Sequence, residues 1–258
     1  MEVNNGFGKG NIPGMPPAVK ALKPSRRGVA LKLPPLEGSS FRMRSSDAVF
    51  EHLKEVIRGL ELLPGTAISE AGITESLGVG RSPVREALAR LVDLGLVSVI
   101  PQVGGRIAPI SIRQVEEAVF IRSSLEIGAF KRAITGAAPD TSEIQKLVDE
   151  NSKAAAEGNM ELFFETDEQL HQKVFELAGM ARIWEVVRGT KVQLDRLRQL
   201  NLPLSVKNLE LFDEHQAIVD ALRSQDMELG ITTIHRHSTR IFETVEELRS
   251  VYPSYFAP

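Results

Sequence analysis

The sequence predicts a mainly α-helical chain of two domains, an N-terminal winged helix–turn–helix and a C-terminal bundle of six helices. Three observations support this fold class. Between residues 46 and 110, three short amphipathic segments precede two β-branched runs that a glycine-containing turn separates. Beyond Pro109, apolar residues recur at helical spacing and no further strand pattern follows. The 258 residues are enough for two domains of ordinary size.

The composition is that of a globular protein, with 42% hydrophobic and 25% charged residues. The chain has no cysteine, which excludes disulfides, thiolate metal sites and cysteine nucleophiles and is consistent with a reducing compartment. No apolar run approaches the roughly 18 residues that a membrane span requires. We therefore expect a cytoplasmic protein with no membrane partner.

The net charge gives no general indication of nucleic-acid binding. The formal net charge is -3, and residues 46–110 carry six Lys/Arg against eight Asp/Glu. Counterion release depends on the cations that touch phosphates, so a few positioned arginines, doubled in a dimer, are sufficient for DNA binding. Any DNA-binding prediction must therefore rest on local features.

Residues 1–40 are rich in glycine and proline and lack a periodic apolar pattern, which predicts a disordered tail. Its cations could add nonspecific phosphate contacts, although a solvated tail is the favoured interpretation; they are Lys20, Lys23, Arg26, Arg27 and Lys32. We assign residues 41–110 to the winged domain. Within it, a first helix ends near residues 59–63, and Gly78 stops a short second helix.

The third helix, in residues 79–99, combines a defined start with arginines at that start. Ser82 is predicted to be the N-cap and Pro83 the first helical residue. Arg81 and Arg85 then project from the N-terminal end, which DNA-contacting helices direct at base edges and phosphates. The apolar residues fall at helical spacing on the other side; they are Ala87, Leu88, Leu91, Val92 and Leu94. The alternative, solvated surface charge, is disfavoured for Arg81 and Arg85 but favoured for Arg90.

The run LVSVI, a turn at residues 101–105 and the run RIAPI complete a winged helix–turn–helix. The whole segment PGTAISEAGITESLGVGRSPVREALARLVDLGLVSVIPQVGGRIA resembles the DNA-binding domain of the GntR family of transcription factors. That resemblance implies that Arg81 and Arg85, with Ser82, contact an operator. It also implies that Arg106, at the tip of the wing, approaches the adjacent groove.

Residues 111–250 are predicted to form six helices, followed by a C-terminal tail at 251–258. The predicted spans are 112–135, 141–156, 160–178, 181–200, 205–224 and 226–249. Asp140 with Glu143, Asn159 and Ser205 are predicted helix caps, and Pro139 and Pro203 are expected to precede helices. This pattern predicts an all-α second domain.

Four ionisable residues lie on or near the apolar stripes of three of these helices: Asp167, His171, His215 and His237. One carboxylate and three imidazoles that converge on one interior are a ligand set for Zn, Ni, Mn or Fe. A single interior histidine is more often a hydrogen-bonded core residue, but three histidines together with an aspartate favour a divalent metal ion. For His52 and His235 we keep the non-ligand interpretation.

The segments DEQLHQKVFELAG, DEHQAIVDALRSQD and IHRHSTRIF resemble the FCD effector domain of the FadR subfamily of GntR regulators. In one branch of that subfamily an Asp-x3-His pair and two further histidines bind a divalent metal, which implies that the same four residues are ligands. For Arg122, two interpretations stay open. It pairs with Glu126 at i,i+4, or it takes the carboxylate of an organic-acid effector, as the resemblance implies. Arg188, Arg196 and Arg198 are further candidates for that role.

The favoured function is a homodimeric, ligand-responsive transcriptional regulator, a repressor of a catabolic operon, and not an enzyme. Two DNA-contacting helices would bind the half-sites of an inverted repeat in double-stranded DNA, and a small carboxylate at the metal would change the relative placement of the DNA-binding domains. One alternative is a metal-dependent enzyme tethered to a DNA-binding module, although no further interior carboxylate is placed as a general base. The other is a regulator whose metal is purely structural.

Overall fold

The computed structural model describes residues 31, 33–35, 46–100, 104–205 and 209–258. Its helices are α1 (Ser46–Arg58), α2 (Glu70–Leu77), α3 (Arg81–Asp93), α4 (Ile112–Ala133), α5 (Ser142–Ala156), α6 (Met160–Leu177), α7 (Ala181–Thr190), α8 (Val192–Ser205), α9 (Leu209–Ser224), α10 (Met227–Thr239) and α11 (Val245–Val251). Its strands are β1 (Ala67–Ile68), β2 (Val97–Ile100) and β3 (Gly104–Ile107). None of these helices carries an apolar stretch long enough to cross a lipid bilayer.

The chain divides into two compact units. The described part of the first comprises residues 126–181 and 200–237. The described part of the second comprises the winged domain, the linker and α4 up to residue 125, together with 182–199 and 238–258. The predicted mainly α-helical fold, with a winged helix–turn–helix and an all-helical domain, is confirmed.

The winged domain is built from α1 to α3 and a three-stranded antiparallel sheet in the order β1-β3-β2. Apolar residues at helical spacing on α1, among them Val49, Leu53 and Ile57, join Val84 and Leu91 of α3 in one buried core. The predicted hairpin is β2 paired with β3. Strand β1 was not predicted, because a strand of two residues is too short to show an alternating pattern.

The start of α3 differs from the prediction. Gly80, in an extended conformation (φ -72°, ψ 163°), is the N-cap, and the helix begins at Arg81. Ser82 is therefore inside the first turn and does not cap it. Gly80 has no side chain, so the α3 cap has no side-chain hydrogen bond, whereas Ser69 caps α2 by accepting from the amide of Gly72 at 3.0 Å.

Both predicted tails are corrected where the structure describes them. Most of residues 1–40, including the five tail cations, lies outside the described residues, but Leu31 and Leu33 pack against the winged-domain core. The amide of Leu33 also donates to Ser76 Oγ at 3.0 Å. These two apolar residues were too few to form a periodic pattern.

The C-terminal segment is an integral part of its unit. Tyr252, Tyr255 and Phe256 are buried. The amide of Ile110 donates to the carbonyl of Tyr255 at 2.7 Å, and the amide of Ala257 donates to the carbonyl of Ile110 at 2.9 Å. The prediction of a tail was wrong because this contact joins residues far apart in the chain.

The predicted helix boundaries hold in the first half of the second domain and change later. Asn159 caps α6 by accepting from the amide of Leu162 at 3.1 Å, as predicted. Asp140 accepts from the amide of Ser142 at 2.9 Å, although Thr141 is the N-cap of α5. The span 181–200 is divided between α7 and α8.

Two predictions about the later helices were wrong. Pro203 lies inside α8 instead of preceding a helix, and Ser205 ends α8 instead of capping α9. The predicted last helix is interrupted by a 3-10 turn at Arg240–Thr244, after which α11 follows. The apolar period alone carries no information about these breaks.

Within the first unit, α4 and α10 approach each other closely at a glycine. A Cβ atom on Gly230 would overlap the ring of Phe130, which is fully buried. By contrast, a Cβ on Gly128, also on α4, would meet no atom within 4 Å. The two helices therefore need a residue without a side chain at position 230.

We expect Gly230→Ala to lower the free energy of unfolding by about 1–3 kcal/mol because the new methyl group overpacks against Phe130. Gly128→Ala is the matched control, since it adds the same methyl group to a helix in open space and should stabilise by up to about 1 kcal/mol. Urea unfolding at unchanged m-value measures both. Equal stabilities of the two variants would contradict the close approach.

Candidate metal centre and DNA-contacting helix

The structure brings together the four residues that the sequence singles out as metal ligands. Asp167 and His171 lie on α6, His215 on α9 and His237 on α10. All four are buried, and one ligand atom from each lies within 4.8 Å of the others. The three helices thus direct one carboxylate and three imidazoles into one point of the interior.

Two of the separations between these atoms are those expected around a single ion. Nε2 of His237 lies 3.1 Å from Nε2 of His171, and Nε2 of His215 lies 3.3 Å from Oδ1 of Asp167. Asp167 Oδ2 lies 3.8 Å from His171 Nε2. Metal–ligand bonds of about 2.0–2.2 Å place neighbouring ligand atoms roughly 2.8–3.6 Å apart in tetrahedral or octahedral geometry. The two shortest separations lie in that range.

Helix α6 positions two of the four residues through its period. Asp167 and His171 are four residues apart and share the buried face with Phe163, Leu170 and Val174. Apart from Thr166, the other buried residues of α6 are apolar. Packing of the apolar neighbours therefore determines the direction of both polar side chains.

Two further carboxylates lie next to the Nδ1 atoms of His171 and His237. The sequence did not indicate them as part of the site. Glu126 Oε1 lies 2.5 Å from His171 Nδ1. Glu214 Oε2 lies 3.3 Å from His237 Nδ1, while its Oε1 accepts from Arg236 Nε at 2.8 Å. Both glutamates are completely buried. Carboxylates in this position fix the tautomer and ring orientation of metal-binding histidines.

The protonation state of His237 suits a ligand. Burial lowers the pKa of His237 to about 3, with smaller contributions in the same direction from His215 and His171 and a partial offset from Glu214. The imidazole is therefore neutral near pH 7, and a nitrogen lone pair is available. His52 is half-buried and His235 is exposed; neither belongs to the cluster.

The arginines proposed for effector binding fall into different environments. Arg122 is buried on α4, 3% exposed. Arg196 is also buried, but it donates to the carbonyl of Ala108 at 2.7 Å and to Gln193 Oε1 at 2.9 Å. Burial lowers the pKa of Arg196 to about 10, so it stays a cation near pH 7. Arg188 and Arg198 are in ion pairs with Glu185 and Asp195, respectively.

Helix α3 has one packed and one exposed face, but Val92 and Leu94, which the sequence placed on the packed side, are exposed. Val84, Ala87 and Leu91 are buried, whereas Arg81, Ser82 and Arg85 are exposed. Arg90, by contrast, lies over the ring of Phe50 at 3.8 Å and pairs with Asp47 at 2.6 Å. The N-terminal end of α3 therefore presents two exposed arginines and a hydroxyl group to solvent.

Arg85 is held by an acidic residue that the sequence did not indicate. Glu70, in the first turn of α2, accepts from Arg85 Nε at 3.1 Å and from Arg85 Nη2 at 3.2 Å. These hydrogen bonds lower the pKa of Glu70 and raise that of Arg85. The pairing joins residues of two helices, so no local sequence pattern contains it.

Arg106 does not occupy the tip of the wing. It lies within β3, opposite Ala67 and Ser98 of the neighbouring strands. Its Nη1 donates to the carbonyl of Gly65 at 2.8 Å. The turn itself, at residues 101–103, is outside the described residues. The prediction that Arg106 lies at the tip of the wing was wrong because Arg106 belongs to the paired strand β3.

A winged helix–turn–helix and a helical domain with a buried Asp/His cluster define a class of protein: a two-domain, DNA-binding regulator. Residues 45–107 match the gntR family of bacterial regulatory proteins, and residues 117–240 match the FCD domain. The predicted limit between the two domains at residue 110 stays a prediction beside these matches.

Similar proteins are regulators as well. A helix–turn–helix transcriptional regulator from an unstable DNA locus of Streptomyces ambofaciens is 32% identical over 210 residues, 81% of this chain and 88% of that protein. The transcriptional repressor RspR of Escherichia coli is 26% identical and covers 81% and 92%. The structure of E. coli McbR/YncC has the same fold, with a TM-score of 0.63 at 23% identity over 78% of this chain and 97% of that one.

The chain therefore belongs to the gntR family of bacterial transcriptional regulators, with an FCD domain as its second domain. Members of this family and the relatives above are DNA-binding regulators and not enzymes.

Proposed function

We propose that this protein is a homodimeric repressor of a catabolic operon that senses a small organic acid at a metal ion in its helical domain. Two copies of α3 would bind the half-sites of an inverted repeat in double-stranded DNA. The proposal that the protein senses an acid at a metal ion rests on one observation, the buried cluster of Asp167, His171, His215 and His237. The name of the related protein RspR, a repressor, supports repression.

The arrangement of the imidazoles supports a bound cation. With Nδ1 of His171 donating to Glu126, its Nε2 presents a lone pair toward Nε2 of His237 at 3.1 Å. If His237 likewise carries its proton on Nδ1, beside Glu214, two lone pairs face each other and repel unless a cation lies between them. The other tautomer of His237 would turn a lone pair toward the Glu214 carboxylate.

The donor set also indicates the class of metal. Three neutral imidazoles and one carboxylate suit Zn, Ni, Mn or Fe in the divalent state. Glu126 and Glu214 would hold His171 and His237 in the ligand tautomer. A bound ion would supply a Lewis-acidic centre able to take a carboxylate oxygen of an effector.

For the effector, we propose that Arg122 provides the second contact. A guanidinium binds a carboxylate through two parallel hydrogen bonds, and burial strengthens such charge-assisted bonds. Arg122 is a buried arginine on the same helix as Glu126, the partner of His171. The effector would be an acid that the enzymes encoded by the regulated operon degrade.

For DNA, the exposed N-terminal end of α3 supports Arg81, Ser82 and Arg85 as the contacts. Arginine binds guanine O6 and N7 through two hydrogen bonds in the major groove, and hydroxyl groups bind phosphates or bases. Arg106, from its position in β3, would contribute at most a phosphate contact after leaving the carbonyl of Gly65.

We expect His215→Ala and His237→Ala to lose most of the metal that the wild type retains after dialysis, since each removes one of four ligands. Elemental analysis of the purified proteins measures this. His235→Ala, which removes an exposed histidine of the same helix as His237, should keep the wild-type content. Equal metal content in wild type, His215→Ala and His237→Ala would eliminate the site.

Arg85→Ala should abolish specific DNA binding while the protein stays folded and dimeric. Losing one bidentate base contact costs about 1–3 kcal/mol per half-site, and the dimer loses two. A mobility-shift titration on a duplex that the wild type selects from a randomised library measures binding, and light scattering gives the mass. Arg113→Ala, which removes a highly exposed arginine of α4, is the control. Unchanged specific binding by Arg85→Ala would overturn this role.

A saturating acid effector should raise the melting temperature of the metal-loaded protein. At about 100 times Kd, linkage gives roughly 2.7 kcal/mol, a shift of about 5–10 °C for a domain of this size. A thermal-shift screen of small mono- and dicarboxylic acids measures this. The shift should be smaller in Arg122→Lys, which loses the two parallel N–H groups of the guanidinium but keeps the positive charge. Stabilisation by metal without any acid-dependent shift would instead support a purely structural metal.

A further inference from the structure

We propose that Glu70 is a specificity-determining residue that positions Arg85 for base contact and suppresses binding to arbitrary DNA. This inference rests on the proposed DNA-binding role of Arg85. The observation that carries it is the two-point contact between the Glu70 carboxylate on α2 and the Arg85 guanidinium on α3.

The contact occupies one particular edge of the guanidinium. Glu70 Oε1 and Oε2 accept from Nε and Nη2, at 3.1 and 3.2 Å. The edge formed by Nη1 and the second N–H of Nη2 then points away from Glu70, because the guanidinium is planar and its donors are fixed. That remaining edge presents two parallel N–H groups, which match O6 and N7 of guanine. Glu70 thus leaves Arg85 one geometry for base contact.

The pair is not needed to hold the two helices together. Arg85 and Glu70 are 71% and 40% exposed, and ion pairs at such positions contribute little to stability. Packing between α2 and α3 depends instead on buried apolar residues, among them Ile73, Val84 and Leu91. Because the stability of the domain does not depend on the pair of Glu70 and Arg85, we assign this pair to DNA recognition.

The charge of Glu70 acts against nonspecific binding. An arginine with an exposed, mobile side chain binds any phosphate, and each phosphate contact adds to sequence-independent affinity. The Glu70 carboxylate keeps the Arg85 guanidinium away from the phosphates of the DNA backbone. Its own negative charge also repels those phosphates. In the major groove the two hydrogen bonds to guanine compensate for that repulsion, whereas at an arbitrary site nothing does.

The test compares Glu70→Gln with Glu75→Gln in the full chain. Glu75 is an exposed glutamate of the same helix, so both variants remove the same charge from α2, but only one removes the partner of Arg85. Glu70→Asp keeps the charge and shortens the reach. The probes are the duplex that the wild type selects from a randomised library and a scrambled duplex of equal length and composition. Circular dichroism melting verifies that every variant is folded.

The measured quantity is the specificity ratio, the Kd for the scrambled duplex divided by the Kd for the selected duplex. For Glu70→Gln we expect this ratio to fall about tenfold, which corresponds to about 1.4 kcal/mol. Its binding to scrambled DNA should also depend more steeply on salt, by about one unit of slope per additional phosphate contact. In the selected duplex, replacement of the contacted guanine should cost less affinity in Glu70→Gln than in wild type. Glu70→Asp should show a smaller fall, and Glu75→Gln should match the wild type.

Two results would overturn the inference: a wild-type specificity ratio and base preference in Glu70→Gln, or an equal fall in Glu75→Gln, which would reduce the effect to net charge. Failure of the proposed DNA-binding role has a different outcome. In that case the wild type selects no duplex, or Arg85→Ala binds the selected duplex as well as the wild type does.

Discussion

Burial of ionisable side chains is the constraint on which the first unit depends. Asp167, His171 and His215 have almost no solvent contact, and Glu126 and Glu214 behind them have none. A buried carboxylate without a partner costs several kcal/mol, so such groups persist only where cations or hydrogen bonds compensate. Each carboxylate here lies close to an imidazole nitrogen, and Nε2 of His171 faces Nε2 of His237 as Nε2 of His215 faces Asp167, at separations of 3.1 and 3.3 Å. The cluster is stable as a set and not as separate residues.

The winged domain is organised in the opposite way, with an apolar core and its functional groups in solvent. Buried residues such as Val84 and Leu91 fix α3, and only then do Arg81 and Arg85 have a defined direction. Since residues 46–110 carry six basic against eight acidic residues, affinity for DNA cannot come from a general positive charge. The acidic residues then become part of recognition, and Glu70 is the one that the structure places on an exposed arginine of α3.

The sequence predicted features that helical period marks, including the meeting of His215 and His237 with Asp167 and His171, because each of them lies on or near an apolar stripe. It did not predict contacts between residues that no such pattern marks. Asp167 and His171 share a face because they are four residues apart, which is visible in any helical segment. Glu126 and Glu214 belong to the site only because their helices pack beside α6 and α10, and no spacing encodes that contact. The prediction of Ser82 as N-cap failed for a related reason. Glycine adopts the extended cap conformation as well, so residue preference alone could not place the helix start.

The linker between the winged domain and α4 is held by parts of the chain that are distant in sequence. Arg196 of α8 donates to the carbonyl of Ala108, and the backbone of Ile110 makes hydrogen bonds with Tyr255 and Ala257. Desolvating a guanidinium is costly, and the hydrogen bonds of Arg196 to the carbonyl of Ala108 and to Gln193 Oε1 offset part of that cost. The segment that follows β3 is therefore fixed by directional bonds and is not a loose tether. Through these bonds, Arg196 of α8 and the C-terminal segment hold the residues that connect the winged domain to α4.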